Sequence, residues 1–333
     1  MFFNRIKVSL FGESHGEAVG VVIEGLPPGF KPDLSRVAEC LRRRAPGAGS
    51  WTTRRKEADE ARIISGFLNG AFTGAPLAAL IANTDTRSGD YAAFAATPRP
   101  GHADYAAGVR YKNANDLRGG GFTSARLTAP LVFAGALASQ ILETQGITIA
   151  ARISEIAGVD SCWDEMLAAI AEAQARKDSV GGIIEVVATG VPAGIGDPFF
   201  GKLDARIAGL MMTLPAVKGV EIGAGFAAAR SVGSANNDQT FFDSATGKIA
   251  RKTNNAGGIE GGISNGEPIV VRVAFKPTPS IAAPQSAANL TTRETDAIEI
   301  HGRHDPCVVP RAVPVVEAAL ALALFDAGAC SGH

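Results

Sequence analysis

Val19-Gly20-Val21-Val22-Ile23-Glu24, closed by Gly25-Leu26-Pro27-Pro28-Gly29, returns later in the chain as Val180-Gly181-Gly182-Ile183-Ile184-Glu185, followed by Val191-Pro192-Ala193-Gly194. A short apolar, β-branched run bounded by proline and glycine reads as a buried strand. Two further phrases recur in the same order. Phe72-Thr73-Gly74-Ala75-Pro76-Leu77 is echoed by Ile263-Ser264-Asn265-Gly266-Glu267-Pro268-Ile269, and Arg126 with Pro130 and an alanine–leucine run is echoed by Arg311 with Pro314 and the run through Leu324. A strand, a hairpin and a helix repeated in order point to an internal duplication within one domain, with pseudo-repeats of about 1–150 and 151–333. Chance similarity of short apolar phrases is the competing explanation.

Around these phrases the periodicity predicts further elements. Asp33 reads as the N-cap of a helix that carries Leu34, Val37, Ala38 and Leu41 on one face and ends in Arg42-Arg43-Arg44. The span from Phe67 to Ala82 reads as a hairpin turning near Gly74, and Asn83 to Arg99 as a polar loop. Helices are expected after Arg126, from Trp163 to Lys177, and near Leu203 to Met212, with Met211 and Met212 in the core.

The 333 residues are 46% hydrophobic, enough for a sizeable core, and the formal net charge is −1. That balance argues against a general nucleic-acid binder or a basic membrane-surface protein, while local arginine clusters remain able to hold a small anion. Four cysteines lie far apart without zinc or redox spacing, which suits a reduced, cytoplasmic setting. The N-terminus runs straight into a strand-like segment, so neither a signal peptide nor a membrane span is expected.

Chemistry concentrates where Gly101-His102-Ala103-Asp104-Tyr105 is followed by Arg118-Gly119-Gly120-Gly121-Phe122-Thr123-Ser124-Ala125-Arg126. Three glycines let backbone approach a ligand closely, and the first turn of a following helix offers N–H groups and partial positive charge to an anion. A glycine-rich turn feeding a structural helix accounts for the same residues. Of five histidines, His15, His102 and His304 sit in glycine-flanked phrases, and imidazole exchanges protons near neutrality. No histidine spacing suits a metal, and Ser14 or Ser124 lacks the Gly-x-Ser-x-Gly elbow of a hydrolase. The arginines Arg43, Arg44, Arg99, Arg118, Arg126 and Arg303 exceed what one carboxylate needs, so a polyanionic small molecule is the expected ligand.

Phe11-Gly12-Glu13-Ser14-His15-Gly16, Arg99-Pro100-Gly101-His102-Ala103-Asp104, the Gly119–Arg126 run and Gly302-Arg303-His304-Asp305-Pro306-Cys307 together resemble the chorismate synthase family. Asn83-Thr84-Asp85, Asn254-Asn255-Ala256-Gly257-Gly258, Lys276-Pro277-Thr278 and Arg311-Ala312-Val313-Pro314 extend the resemblance from Val8 to Leu324. It implies an α+β fold, a β-α-β sandwich with helices between two antiparallel sheets, in agreement with the internal duplication. It also implies a lyase that removes phosphate and a ring hydrogen from 5-enolpyruvylshikimate 3-phosphate and requires reduced FMN. That substrate is a phosphorylated dicarboxylate, consistent with the arginines.

Carried over by motif, His15 protonates the departing phosphate, His102 meets the reduced flavin, Ser14 and Ser124 relay or orient protons, and Asp305 is the base at the flavin. Phe122, Thr123, Ser124, Pro215, Ala216, Gly261, Lys276, Pro277, Thr278, Pro279, Ser280 and Arg303 fall at flavin positions, and Arg43, Arg44, Arg99, Arg118 and Arg126 at substrate positions. The resemblance further implies a homotetramer, with NADPH or a separate flavin reductase as the source of reduced flavin. Many members carry arginine and glutamate where this chain has Phe122 and Leu127, and arginine where it has Ser50. The first change removes a flavin-phosphate contact and the last weakens the case for a nicotinamide contact. A flavin- or phosphoanion-binding protein without turnover, and an arginine-rich phosphohydrolase, are the alternatives.

Overall fold

The structure, a computed structural model, describes residues 5–47, 52, 57–85, 88–245, 247, 249–300, 302 and 304–329. Eight strands form two four-stranded sheets. β1 (Lys7–Gly12), β2 (Ala18–Glu24), β3 (Ala61–Ser65) and β4 (Leu77–Ala82) lie in the order β1-β2-β4-β3. β5 (Thr148–Ile156), β6 (Gly182–Thr189), β7 (Val217–Ile222) and β8 (Ile269–Phe275) lie in the order β5-β6-β8-β7. Every neighbouring pair is antiparallel, and in both sheets the last strand in sequence inserts beside the second. β2 carries the Val19–Glu24 phrase and β6 opens on the Gly182–Glu185 part of its echo, and the two strands occupy the same place in their sheets.

Each sheet has one apolar face. Val19, Val21 and Ile23 on β2 are fully buried, as are Ile184, Val186 and Ala188 on β6 and Ile269, Val271 and Val273 on β8. The alternation follows from the period of two along a strand. These faces are covered by α1 (Leu34–Arg44), α3 (Thr128–Glu143), α5 (Leu203–Met212) and α6 (Val309–Asp326), while α2 (Asp104–Tyr111) and α4 (Trp163–Ala175) lie outside this layer. α3 packs on β2 and β4, α6 on β5 and β6, and the two helices on each other. They cross where a Cβ on Gly135 would lie 2.3 Å from Ala318 Cα, so only glycine permits the contact. The run Ala125–Glu143 is long and apolar enough to cross a bilayer, yet 89% of its most apolar window is buried in this layer. The architecture is an α+β sandwich with helices between two antiparallel sheets.

Asp33 caps α1, its carboxylate accepting the Ser35 N–H at 2.8 Å. Three expectations change. The hairpin after Phe67 turns at Asn69-Gly70, pairing Phe67–Leu68 with Ala71–Phe72, because both central residues have positive φ, 49° and 81°, as a tight two-residue turn requires. The segment 77–82 is instead a sheet strand between β2 and β3. Within the polar loop, Ser88–Ala95 winds into a 3₁₀ helix. Met211 is in the core, but Met212, one position on around α5, is half exposed. Cys40, Cys162 and Cys307 are free thiols, and Cys330 lies outside the described residues.

Candidate active site

A cavity of about 380 Å³ opens at the N-terminal ends of α3 and α6. Ser14, Arg44, His102, Gly119, the run Thr123–Arg126 and Thr128 line it from the first sheet's side. Pro215-Ala216, Lys276, Thr278–Ser280, His304-Asp305 and Arg311 line it from the second. Arg126 and Arg311, each just before or within the first turn of a central helix, meet here.

The glycine run threads between two histidines. Gly119, Gly120 and Gly121 all have positive φ (59°, 84° and 52°), which other residues adopt only at a cost. A Cβ on Gly119 would lie 2.3 Å from the His15 ring, and one on Gly120 would lie 3.1 Å from Cε1 of His102. The run is tied to the Ser14 loop by the Ser14 N–H, which donates to Gly121 O at 3.2 Å. His15 is buried and packs edge-on against Tyr91, with ring centroids 5.0 Å apart. Asn83 donates to the carbonyls of Glu13 and Gly16, both at 2.9 Å, and accepts from Arg126 Nε at 2.8 Å. One amide thus links the histidine loop to the arginine wall.

The arginines carry their own counterions. Asp59, fully buried, accepts from Arg44 Nη1 at 2.9 Å and from Arg126 Nη1, and Glu57 lies 3.1 Å from Arg126 Nη1. Burial alone raises the Asp59 carboxyl, but the charges and hydrogen bonds of Arg44 and Arg126 outweigh it and hold it below the usual carboxylate range. Burial lowers Arg44 to about 10 against the pull of Asp59, which leaves it charged at neutral pH. Arg44 also donates to Thr128 Oγ1 and Ala125 O, fixing the short 3₁₀ turn Ala125–Leu127 that leads into α3. On the opposite wall, Arg311 Nη1 donates to Asp305 Oδ2 at 2.5 Å and its Nε to Arg44 O at 3.1 Å.

His102 stands beside an ion pair. Arg99 donates through Nε to Asp104 Oδ2 at 2.7 Å and through Nη2 to Oδ1 at 2.8 Å, and its Nη1 donates to Ser280 Oγ at 3.1 Å. Its guanidinium lies 4.7 Å from the Phe94 ring centroid, within cation–π range. Lys276 Nζ donates to Gly101 O at 2.5 Å, so the second sheet's side anchors the histidine loop.

The structure gathers Ser14, His102, Thr123, Ser124, Pro215, Ala216, Lys276, Thr278, Pro279, Ser280, Asp305, Arg44, Arg99 and Arg126 around one cavity, with His15 behind Gly119. It separates others. Arg43 faces away and forks onto Glu317, because only Arg44 continues the buried face of Val37 and Leu41. Arg118 is exposed and paired with Asp116, Phe122 is 54% exposed, and Gly261 sits in the turn of the Ile259–Glu260/Ile263–Ser264 hairpin. None of these four, nor Pro277, lines the cavity. Arg303 and Ser50 lie outside the described residues. Arg99 lines the cavity but its nitrogens are engaged internally. Glu57, Asp59 and Tyr91 belong to the site without a motif that marks them, and Asp104 and Arg311 belong to it from sequence phrases that gave them no role.

The chorismate synthase family model matches residues 6–328. Curated chorismate synthases are similar along their length. That of Archaeoglobus fulgidus is 46% identical, with 98% of this chain and 96% of that protein covered, and that of Methanosarcina mazei is 45% identical, with 98% and 95% covered. A solved structure described as the crystal structure of chorismate synthase superposes with a TM-score of 0.73 at 30% identity, over 98% of this chain and 92% of that one. Likeness at this level spans the whole sandwich and every wall of the cavity, not one borrowed module, and so the chain belongs to the chorismate synthase family.

Proposed function

We propose that the cavity converts 5-enolpyruvylshikimate 3-phosphate to chorismate by a 1,4-elimination with reduced FMN bound beside the substrate. The supporting observation is the meeting, in one cavity, of Ser14 backed by His15, of His102, and of Asp305, within a wall that holds Arg44, Arg126, Lys276 and Arg311. Guanidinium forks suit two carboxylates and a phosphate.

The residues present fit a flavin. Pro215, Ala216 and Pro279 offer small, rigid faces for a planar ring, Thr123, Ser124 and Thr278 offer hydroxyls, and Lys276 offers a cation. Ala216 has φ of 70°, a left-handed conformation that costs about 1 kcal/mol or more and is held here by Lys276 N–H donating to its carbonyl at 2.9 Å. Loss of phosphate and a ring proton is redox-neutral overall, and reduced FMN, when bound, would supply electron density to the reacting ring without being consumed.

The chain's own residues orient the substrate and move protons. Arg44 and Arg126 place the anionic groups, His15 with Ser14 delivers a proton toward the departing phosphate, and Asp305 takes up the ring proton. Enclosing these groups away from bulk water strengthens each electrostatic contact. The same reading takes a homotetramer as the assembly, with the exposed Phe199, Phe200, Phe226 and Phe242 as apolar surface available to a second copy. NADPH or a separate reductase supplies the reduced flavin.

The test is anaerobic turnover with photoreduced FMN. Chorismate and phosphate in equal amounts are expected. Phosphate release without flavin, with the ring hydrogen retained, points instead to a phosphohydrolase, and ligand binding without product to a binding protein.

A further inference from the structure

Asp104 opens α2 and is nearly fully buried, with one carboxylate oxygen 2.6 Å from His102 Nδ1. We propose that Asp104 is a positioning residue that fixes the tautomer of His102, keeping the proton on Nδ1 and presenting Nε2 to the cavity.

Two groups compete for Nδ1. Asp104 Oδ1 lies at 2.6 Å and Arg99 Nη2 at 3.1 Å. A guanidinium only donates and an ionised carboxylate only accepts, so they demand opposite tautomers. The carboxylate wins on three counts. Its contact is shorter and charge-assisted. Arg99 Nη2 already has an acceptor in Asp104 Oδ1 at 2.8 Å, so it does not need the imidazole. Asp104 also stays ionised, since the hydrogen bonds and charges of Arg99 and His102 overcome the effect of burial and hold its carboxyl below the usual range.

The carboxylate cannot swing away. Oδ2 accepts from Arg99 Nε at 2.7 Å and from the Arg99 backbone N–H at 3.2 Å, while Oδ1 takes Nη2. Arg99 is fixed in turn by Ser280 Oγ and by the Phe94 ring. Lys276 also meets this loop, its Nζ donating to the Gly101 carbonyl. On the far side of the ring a Cβ at Gly120 would lie 3.3 Å from Nε2, so a bare glycine backbone leaves that nitrogen open. Neutral His102 therefore presents a hydrogen-bond acceptor to the cavity and takes up protons there through Nε2, with Asp104 compensating the imidazolium. The effect on turnover rests on the proposed function; the tautomer does not.

The experiment is ring-nitrogen NMR of the full chain labelled with ¹⁵N-histidine, at about pH 9, above the ordinary imidazole range near 6.5, with His102→Gln used to assign the resonances. The wild type is expected to show a protonated Nδ1 and a bare Nε2 at His102. Asp104→Asn should shift the population toward Nε2–H, lower kcat about tenfold or more with KM nearly unchanged, and leave flavin binding in place. Asp104→Glu, which keeps the charge, should recover part of kcat. A wild-type spectrum with the proton on Nε2, or an unchanged tautomer in Asp104→Asn, overturns the proposal. The wild-type spectrum decides even if the variants do not fold. A wild type that lacks turnover yet shows the expected tautomer sinks the proposed function and not this inference.

Discussion

Gly119 lies so close to His15 that a Cβ there would come within 2.3 Å of both Cε1 and Nδ1 of the imidazole, and within 2.7 Å of Ser14 Oγ. Its neighbour Gly120 makes the looser approach to His102. The run is therefore a spacer that sets where two proton-exchanging rings stand, in addition to any approach it allows a ligand.

Gly119→Ala should displace His15 and cut turnover on the order of 10²-fold, the usual consequence of a misplacement near 1 Å. Positive φ at that position adds about 1 kcal/mol of backbone cost. Gly146→Ala separates the two effects, because Gly146 has φ of 77° and no other group within 4 Å of where its Cβ would stand. The control should lose comparable thermal stability and keep its turnover. Equal activity loss in both variants would mean that strain alone, not contact with His15, is responsible.

Much of this arrangement is legible where the physical requirement is local. Three successive glycines announce backbone that other residues adopt only at a cost, and the recurring strand phrases mark the second strand of each sheet. Long-range pairing is where legibility ends. Asp59 is paired with Arg126, which lies far along the chain, and sits in a charged stretch that looks like any solvated loop. Arg43 and Arg44 are adjacent and chemically identical in sequence; only packing of α1 decides that one enters the site and the other meets Glu317. The Asn69-Gly70 turn is plain in its residue types, but the echo between Phe72–Leu77 and Ile263–Ile269 draws the eye to Gly74 instead.

The buried carboxylates give stability a definite pH dependence. Asp59 and Asp104 both have folded pKa values held below the unfolded range near 3.9. The unfolded chain thus binds protons first as pH falls, so their contribution is complete above about pH 5 and is lost progressively below about pH 4. Denaturant melts from about pH 6 down to 3 should show this decline. Asp59→Asn should flatten it and cost about 3–5 kcal/mol near neutrality, because Arg44 and Arg126 would be left buried without their shared counterion. A pH profile parallel to that of the wild type would count against this assignment.

The cysteines should differ sharply in reactivity. Cys307 is fully buried beside the site, and burial pushes its thiol up to about 12, with nearby Asp305 adding to the effect. The attacking species is the thiolate, so Cys307 should resist alkylation at about pH 8 in the native protein, while exposed Cys162 is modified readily. Mass spectrometry of alkylated peptides, before and after denaturation, reads both. Rapid native labelling of Cys307 would show that the Asp305 turn opens far more often than its packing implies.

The sharpest test concerns Asp305, whose carboxylate is 2.5 Å from Arg311 Nη1. Two roles are compatible with that contact. As the base of the proposed elimination, Asp305 must give up part of its pairing with Arg311 to take a proton. As a counterion, it merely neutralises a guanidinium that also lies against the end of α1 through Arg44 O. Asp305→Asn keeps the shape and the turn before Pro306, and the backbone carbonyl that accepts from Thr278 Oγ1 at 2.8 Å is unchanged. It should bind substrate but react at least about a hundredfold more slowly, with a larger isotope effect when the ring position that loses its proton is deuterated. The counterion role predicts a slow single variant too, so the isotope effect decides, because Arg311→Met would also remove a cation from the wall that holds the substrate's anionic groups. If Asp305 is the base, the variant shows the enlarged isotope effect as proton removal becomes limiting. If Asp305 only balances Arg311, the unpaired guanidinium slows the variant while the isotope effect stays that of the wild type, and single-turnover measurements on the two proteins distinguish the two.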